Sequence, residues 1–368
     1  MENIFKKLYP KAKKYLDDKK RLKKLLSKAT DKSSKLKDKD TRDEIKEDVK
    51  FSVSLLKDWS NNEYREIPKK SILSIIAAIL YFVIPTDLIP DFILGTGFLD
   101  DAAVLSYMFS IIKNDLEQYK LFKESVKIKI EMKEKIFSGF SNMSKHLDSK
   151  IHSSFLIFLS YFIKNDFELE NFRTYIKRNE ATFKLKTEDQ TSFSLLIDKN
   201  KIARVTTNSS FLLNILTAYS VTHYKKNDED FFKEINDIVK MSYHNEEVEE
   251  ISALYASMVK KIMNSEKDKL KFLLQHNYDF VSFKSKRAFE LGLGSYIKNY
   301  KTEDKKNNIA DSFEIIAYYL YQSNSFCDII NGDIEKELPK SYLIFLSAIL
   351  FNVQKEEDYL TKIQYLFK

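Results

Sequence analysis

The chain is poor in the residues that build tight turns and cross-links: six Gly, five Pro, one Cys and five His among 368 residues. A single cysteine, Cys327, excludes an intrachain disulfide framework and any multi-cysteine zinc site, so a reducing cytoplasm is the expected compartment. Six glycines leave no P-loop, no dinucleotide fingerprint and no Gly-x-Ser-x-Gly elbow, which argues against nucleoside triphosphate hydrolysis and α/β-hydrolase chemistry. The histidines, His146, His152, His223, His244 and His276, show neither HxxxH nor HExxH spacing, and no zinc site is expected from them. Residues 1–24 are too charged to hold the apolar core of a secretion signal. The apolar run Ser71 to Ile84 has fourteen residues and Ala102 to Ile112 eleven, both short of the roughly 20 that a membrane-spanning helix needs.

What is present is helix-forming. Hydrophobic residues make up 43% and charged residues 31%, with Leu, Ile, Lys, Glu and Phe abundant. That composition predicts an all-α protein, and the length predicts two domains or more. The net charge of +7 is unevenly placed. Residues 1–70 carry 22 Lys and Arg against 13 Asp and Glu, a net of +9, so the remainder is close to neutral. Phe5, Leu8, Tyr9, Ala12, Tyr15, Leu16, Leu22, Leu25 and Leu26 fall near helical spacing among lysines. Residues 3–29 therefore read as a basic amphipathic helix started or kinked at Pro10. Residues 31–40 read as a flexible linker, and Thr41 or Asp43 as the cap of a helix running to about Trp59. Pro68 opens the apolar helix Ser71 to Ile84. The domain boundaries that follow are a basic arm over 1–40, a small helical domain with an apolar hairpin over 41–125, and a larger helical domain over 145–368. In that last part, aromatic helix ends followed by Asn165-Asp166, Asn227-Asp228 and Asn324-Ser325 read as turns with helix N-caps, each with a Phe restarting the apolar stripe. Phe183 to Leu185 and Ile202 to Val205 are candidate short strands.

Between the two apolar runs stand Pro85-Thr-Asp87-Leu-Ile-Pro90-Asp91, Gly95, Gly97 and Asp100-Asp101. Asp87, Asp91, Asp100 and Asp101 are candidate oxygen ligands for Mg²⁺ or Ca²⁺. The favoured role is structural: carboxylates after prolines satisfy turn amides, and Asp100 and Asp101 sit where a helix should begin. No cofactor is therefore expected, with Mg²⁺ as the alternative. This pattern, over about residues 43–120, resembles the YkvA-like family of small bacterial domains, which has no settled biochemical role.

A weaker resemblance links residues 148–352 to the all-helical ADP-ribosylglycohydrolase family. Thr191 to Leu212 followed by Asn214 resembles that family's central helix and its Gly-Asn-Gly turn, without the glycines. Met241-Ser-Tyr-His244 and Ala310 to Asp333 resemble two further segments. The family's metal motifs fall on Lys150, Ile151, His152 and Ser153, and on Asn331 to Lys336, where only Asp333 and Glu335 are carboxylates. Lysines among so few acids suit two Mg²⁺ ions poorly, so the resemblance implies a degenerate, non-catalytic domain. Lys150, His152, Asn208, Asp333, Glu335 and Lys336 are its candidate phosphate or ADP-ribose contacts.

The leading expectation is a non-enzymatic binding or regulatory protein with a protein partner. It would be cytoplasmic and attached peripherally to an anionic membrane surface at its inner face. The alternative is a metal-dependent hydrolase of ADP-ribose conjugates or related nucleotides. Nucleic-acid binding ranks lower, because no basic segment is interleaved with aromatics.

Overall fold

The computed structural model describes residues 2–35, 40–83, 99–146, 152–182, 187–197, 209–264, 308–331, 337–355 and 364–367. The protein is all-α, and no strand occurs among the described residues. Both candidate strands lie outside them. The chain divides into two compact units, 1–128 and 129–368.

The first unit is organised around one apolar helix. Its elements are α1 (Glu2–Leu16), α2 (Lys19–Ser34), α3 (Asp40–Ser60), α4 (Lys69–Val83), α5 (Leu99–Ile111) and the first part of α6 (Lys113–His146). Helix α4 starts one residue after Pro68, whose carbonyl accepts from Ile72 N, and it carries no charge beyond Lys70. Ile72 and every residue from Ser74 to Phe82 are buried, because α1, α2, α3 and α5 all pack against this helix. At about 1.5 Å per residue, fifteen residues reach only about 22 Å. Among the described residues no helix is long and apolar enough to cross a membrane.

The N-terminal segment departs from the expected single helix over residues 3–29, started or kinked at Pro10. Pro10 lies inside α1, and the break comes at Asp17-Asp18. Asp18 is extended (φ −124°, ψ 98°), and its carboxylate accepts from Lys20 N and Arg21 N, which gives α2 an N-cap of its own. Helix α2 then runs to Ser34 and α3 begins at Asp40, so five residues of the expected linker are helical, and Ser33 is buried. Thr41 and Asp43 fall inside α3 and do not precede it.

In the second unit, α10 (Leu212–His223) is central. It packs against α7 (His152–Lys164) and α12 (Glu246–Met263). Helix α11 (Asp228–Lys240) lies on α12, and α13 (Ile309–Gln322) on α12 and α15 (Glu337–Leu350). The short α14 (Phe326–Ile330) lies on α15, and α8 (Leu169–Arg178) contacts α9 (Thr187–Ile197). Two expected caps are in place. Asn227 accepts from Asp230 N, and Ser325 forms a capping box with Asp328. The first turn differs: α8 is preceded by Glu168, which makes no side-chain cap bond.

Helix α10 is buried all round, from Leu212 to Val221. Two buried hydrogen bonds link it to α15 and α12: Tyr342 OH donates to Asn214 Oδ1 at 2.5 Å, and Thr217 Oγ1 and Tyr255 OH are 2.6 Å apart. Asn214 therefore sits within a helix and not in the turn that the glycohydrolase resemblance implies.

Candidate functional site: a basic helical face seated on an apolar helix

The excess of positive charge is more local than the first 70 residues suggest. Residues 1–35 hold 13 Lys and Arg against four Asp and Glu, whereas residues 36–70 are balanced. The charge therefore belongs to α1 and α2. Their apolar positions (Leu8 and Ala12 on α1; Leu22, Leu25, Leu26 and Ala29 on α2) recur at helical spacing and are buried in one core with Ile72 to Phe82 of α4. Four leucines buried at roughly 1.5–3 kcal/mol each make this seam a major stabilising term of the unit. The apolar face of the expected amphipathic helix is thus covered by protein.

Polar contacts secure the same seam. Tyr9 OH and Ser74 Oγ are 2.7 Å apart, joining α1 to α4. Lys32 Nζ donates to the Phe82 carbonyl at 2.7 Å and stands 5.3 Å from the Phe82 ring centroid. The ammonium thereby occupies the C-terminal end of α4, where carbonyls lack helical partners and a cation is favoured. Of the eleven Lys and Arg from Lys11 to Lys35, ten are exposed and Lys32 alone is half-buried. What remains outward is a dense cationic face. Its local acids are few, and Asp18 is engaged with Arg21 at 3.2 Å.

A second cluster fastens α6 within the same unit. Tyr119 OH donates to Asp58 Oδ2 at 2.5 Å and lies 2.7 Å from Ser54 Oγ, while Lys123 Nζ reaches Asp58 Oδ2 at 3.1 Å. Burial, then the bond to Asp58, pushes the Tyr119 hydroxyl pKa well above the usual tyrosine value. Tyr64 packs on Tyr119 and Phe122, and its amide donates to the Asp58 carbonyl. No sequence motif announces this cluster, since its members are about 60 residues apart.

In the second unit, Tyr219 OH donates to Glu234 Oε2 at 2.6 Å, and Lys226 Nζ lies 2.5 Å from Glu234 Oε1. His223 stacks on Tyr219, with ring centroids 4.5 Å apart, and its Nε2 lies 3.8 Å from the exposed Asp166. Burial and the nearby Lys226 hold the His223 pKa below its ordinary 6.5. A cleft of about 850 Å³ is lined by Glu131, Glu134, Lys135 and Ser138 of α6 and by the chain from Ile349 to Lys355. Its charges are mutually paired, Lys135 with Glu131 and Lys355 with Glu134.

The sequence-derived candidates are not brought together by the described residues. Asp87 and Asp91 lie outside them, as do Lys150, Asn208, Asp333, Glu335 and Lys336. Asp100 and Asp101 fall in the first turn of α5, as expected of a helix start, and His152 is the first residue of α7. Among the described residues, no group of three or more His, Cys, Asp or Glu is disposed to hold a metal ion.

Comparison with known proteins bears on α4 and α5. Residues 71–107 match the family model described as "Protein of unknown function (DUF1232)". A stretch of 69 residues is 49% identical to the Bacillus subtilis (strain 168) protein called "Uncharacterized membrane protein YkvA". That stretch is 19% of this chain and 65% of the relative, so the chain spans just under two thirds of the relative's length. No solved structure matches. From Ser71 in α4 to Tyr107 in α5, the chain carries a YkvA-like domain of unknown function.

Proposed function

We propose that this chain is a non-enzymatic binding protein that attaches peripherally to anionic membrane surfaces through the outward face of α1 and α2. The observation that carries the reading is the concentration of ten exposed cations between Lys11 and Lys35 on two helices seated against the YkvA-like helix α4. A cation near an anionic leaflet contributes about 1 kcal/mol before screening, so part of this set suffices for reversible attachment. The Bacillus relative, called a membrane protein, supports the same reading. The larger unit is proposed as a catalytically degenerate, glycohydrolase-like helical domain that engages a protein partner. The support is chemical: the aspartate pair that the resemblance calls for falls on Ile151 and His152, and lysines stand within the two motifs at positions 150 and 336. Release of ADP-ribose from a conjugate in Mg²⁺ would refute that part.

The test of attachment uses the full chain, because removing residues 1–40 would strip the cover from α4 as well as the charge. Lys20, Lys24 and Lys28 are exposed at successive turns of α2. The triple variant Lys20→Glu, Lys24→Glu, Lys28→Glu should lose sedimentation with phosphatidylserine-containing vesicles while keeping its thermal transition. Unchanged sedimentation, or none by the wild type, would refute the proposal.

A further inference from the structure

We infer that the basic face engages an anionic bilayer as a rigid plate, with α1 and α2 still seated on α4, and so reads surface charge density and not defects in acyl packing. The inference rests on the peripheral attachment proposed above and specifies how it occurs. An amphipathic helix senses packing defects and curvature by sinking its apolar face among acyl chains. Here that face is already used: Leu8, Ala12, Leu22, Leu25, Leu26 and Ala29 are buried in the α4 core. From Lys11 to Lys35, no exposed residue is apolar. The exposed positions there are Lys, Arg, Asp, Ser and Thr, so from Lys11 to Lys35 no exposed side chain is suited to insertion.

Both helices are also held at points that hydrophobic burial alone does not supply. Tyr9 bonds Ser74 on α1's side of the seam. Lys32, the one half-buried cation of the set, is turned to the Phe82 carbonyl at the end of α4. Unrolling either helix onto lipid would break these bonds and uncover Ile72 to Phe82. Seated, the helices present the same cations with no such loss. Electrostatic attachment of this kind should follow the anionic lipid fraction and the salt concentration, and should be indifferent to vesicle radius.

Hydrogen exchange of the full-length protein on phosphatidylcholine vesicles, with and without phosphatidylserine, separates the two modes. The plate requires amide protection in α1 and α2 to stay constant or rise on binding, with equal affinity for small and large vesicles. Faster exchange there, or tighter binding to the smaller vesicles, would overturn it while leaving peripheral attachment intact. A pair of charge additions gives an independent reading. Ser27→Lys, on the exposed face, should raise binding about fivefold, the equivalent of about 1 kcal/mol. Ala12→Lys adds the same charge at a position with no exposure, so it should unseat α1 and lower binding. A rise with Ala12→Lys equal to that with Ser27→Lys would show a loose cationic tail and overturn the inference. Absence of any binding by the wild type would remove the attachment and the plate together.

Discussion

Replacing Gly139 with Ala should destabilise the second unit, against the direction set by helix propensity. Gly139 lies inside α6, where an exposed Gly→Ala change normally stabilises by about 0.5–1 kcal/mol. A methyl at this position would stand 2.7 and 2.8 Å from Cδ2 and Cε2 of Phe345 and 2.9 Å from the Phe345 carbonyl oxygen. These separations are too short for carbon, and the third atom belongs to the backbone of α15. Rotating the ring does not relieve all three. The ring has little room in any case, because Phe345 is fully buried and packs edge-on to Phe155, with centroids 5.2 Å apart. Overpacking of a core costs about 1–3 kcal/mol, and participation of the backbone places this case in the upper part of that range. Setting the propensity gain against it leaves a net loss of about 1–2 kcal/mol, or about 2–8 °C in Tm for a unit of this size. Far-UV circular dichroism is the appropriate assay, since the single tryptophan, Trp59, reports on the first unit. The double variant Gly139→Ala, Phe345→Leu should cost less than the sum of its parts, because it removes two of the three contacts. A Gly139→Ala protein as stable as the wild type, or more so, would refute the close approach of α6 and α15.

Two further outcomes follow from the polar clusters. Asp58→Ala should lower the stability of the first unit by about 1–3 kcal/mol, because Tyr119 loses its acceptor and Lys123 its partner; Trp59 fluorescence in urea measures it, and combining the change with Tyr119→Phe should be less than additive. His223 has a pKa below its ordinary 6.5, so folding favours its neutral form. The stability this contributes is fully present above pH 6.5 and is lost as pH falls from there towards the folded-state value. Thermal melts of wild type and His223→Gln between pH 8 and 5 should diverge least at the acid end, and parallel curves would show that His223 is not responsible.

Much of the fold was legible because single residues punctuate it. Pro68 and the uncharged run after it define α4, and Asn227 and Ser325 cap helices where the local pattern places them. The break between α1 and α2 was missed, because a proline is a louder signal than an aspartate, yet it is the side chain of Asp18 that caps the second helix. Periodicity showed that α1 and α2 each have an apolar face, but it carries no information on what covers that face. The distinction between lipid and α4 was therefore beyond it, and the structure places α4 against that face. Asn214 was placed in a turn by the glycohydrolase resemblance, whereas its amide oxygen accepts from Tyr342, 128 residues away. The pairing of Asp58 with Tyr119 was invisible for the same reason. Lys150, Asp333, Glu335 and Lys336 lie outside the described residues, as do Asp87 and Asp91, so their roles still rest on the sequence.

The two buried polar contacts of α10 have a consequence for how this protein tolerates mutation. A helix buried on every side takes no preferred rotation about its own axis from hydrophobic burial alone, which would accept several. Asn214 with Tyr342, and Thr217 with Tyr255, remove that degeneracy, since turning the helix would leave four polar groups facing hydrocarbon. Such a device ties positions together in pairs. Thr217→Val alone strands the Tyr255 hydroxyl, and Tyr255→Phe alone strands Thr217, whereas the two changes together leave no orphan. The second unit should accordingly drift by concerted replacement at these sites, and a core made wholly of hydrocarbon there would hold its shape less strictly even while resisting heat as well.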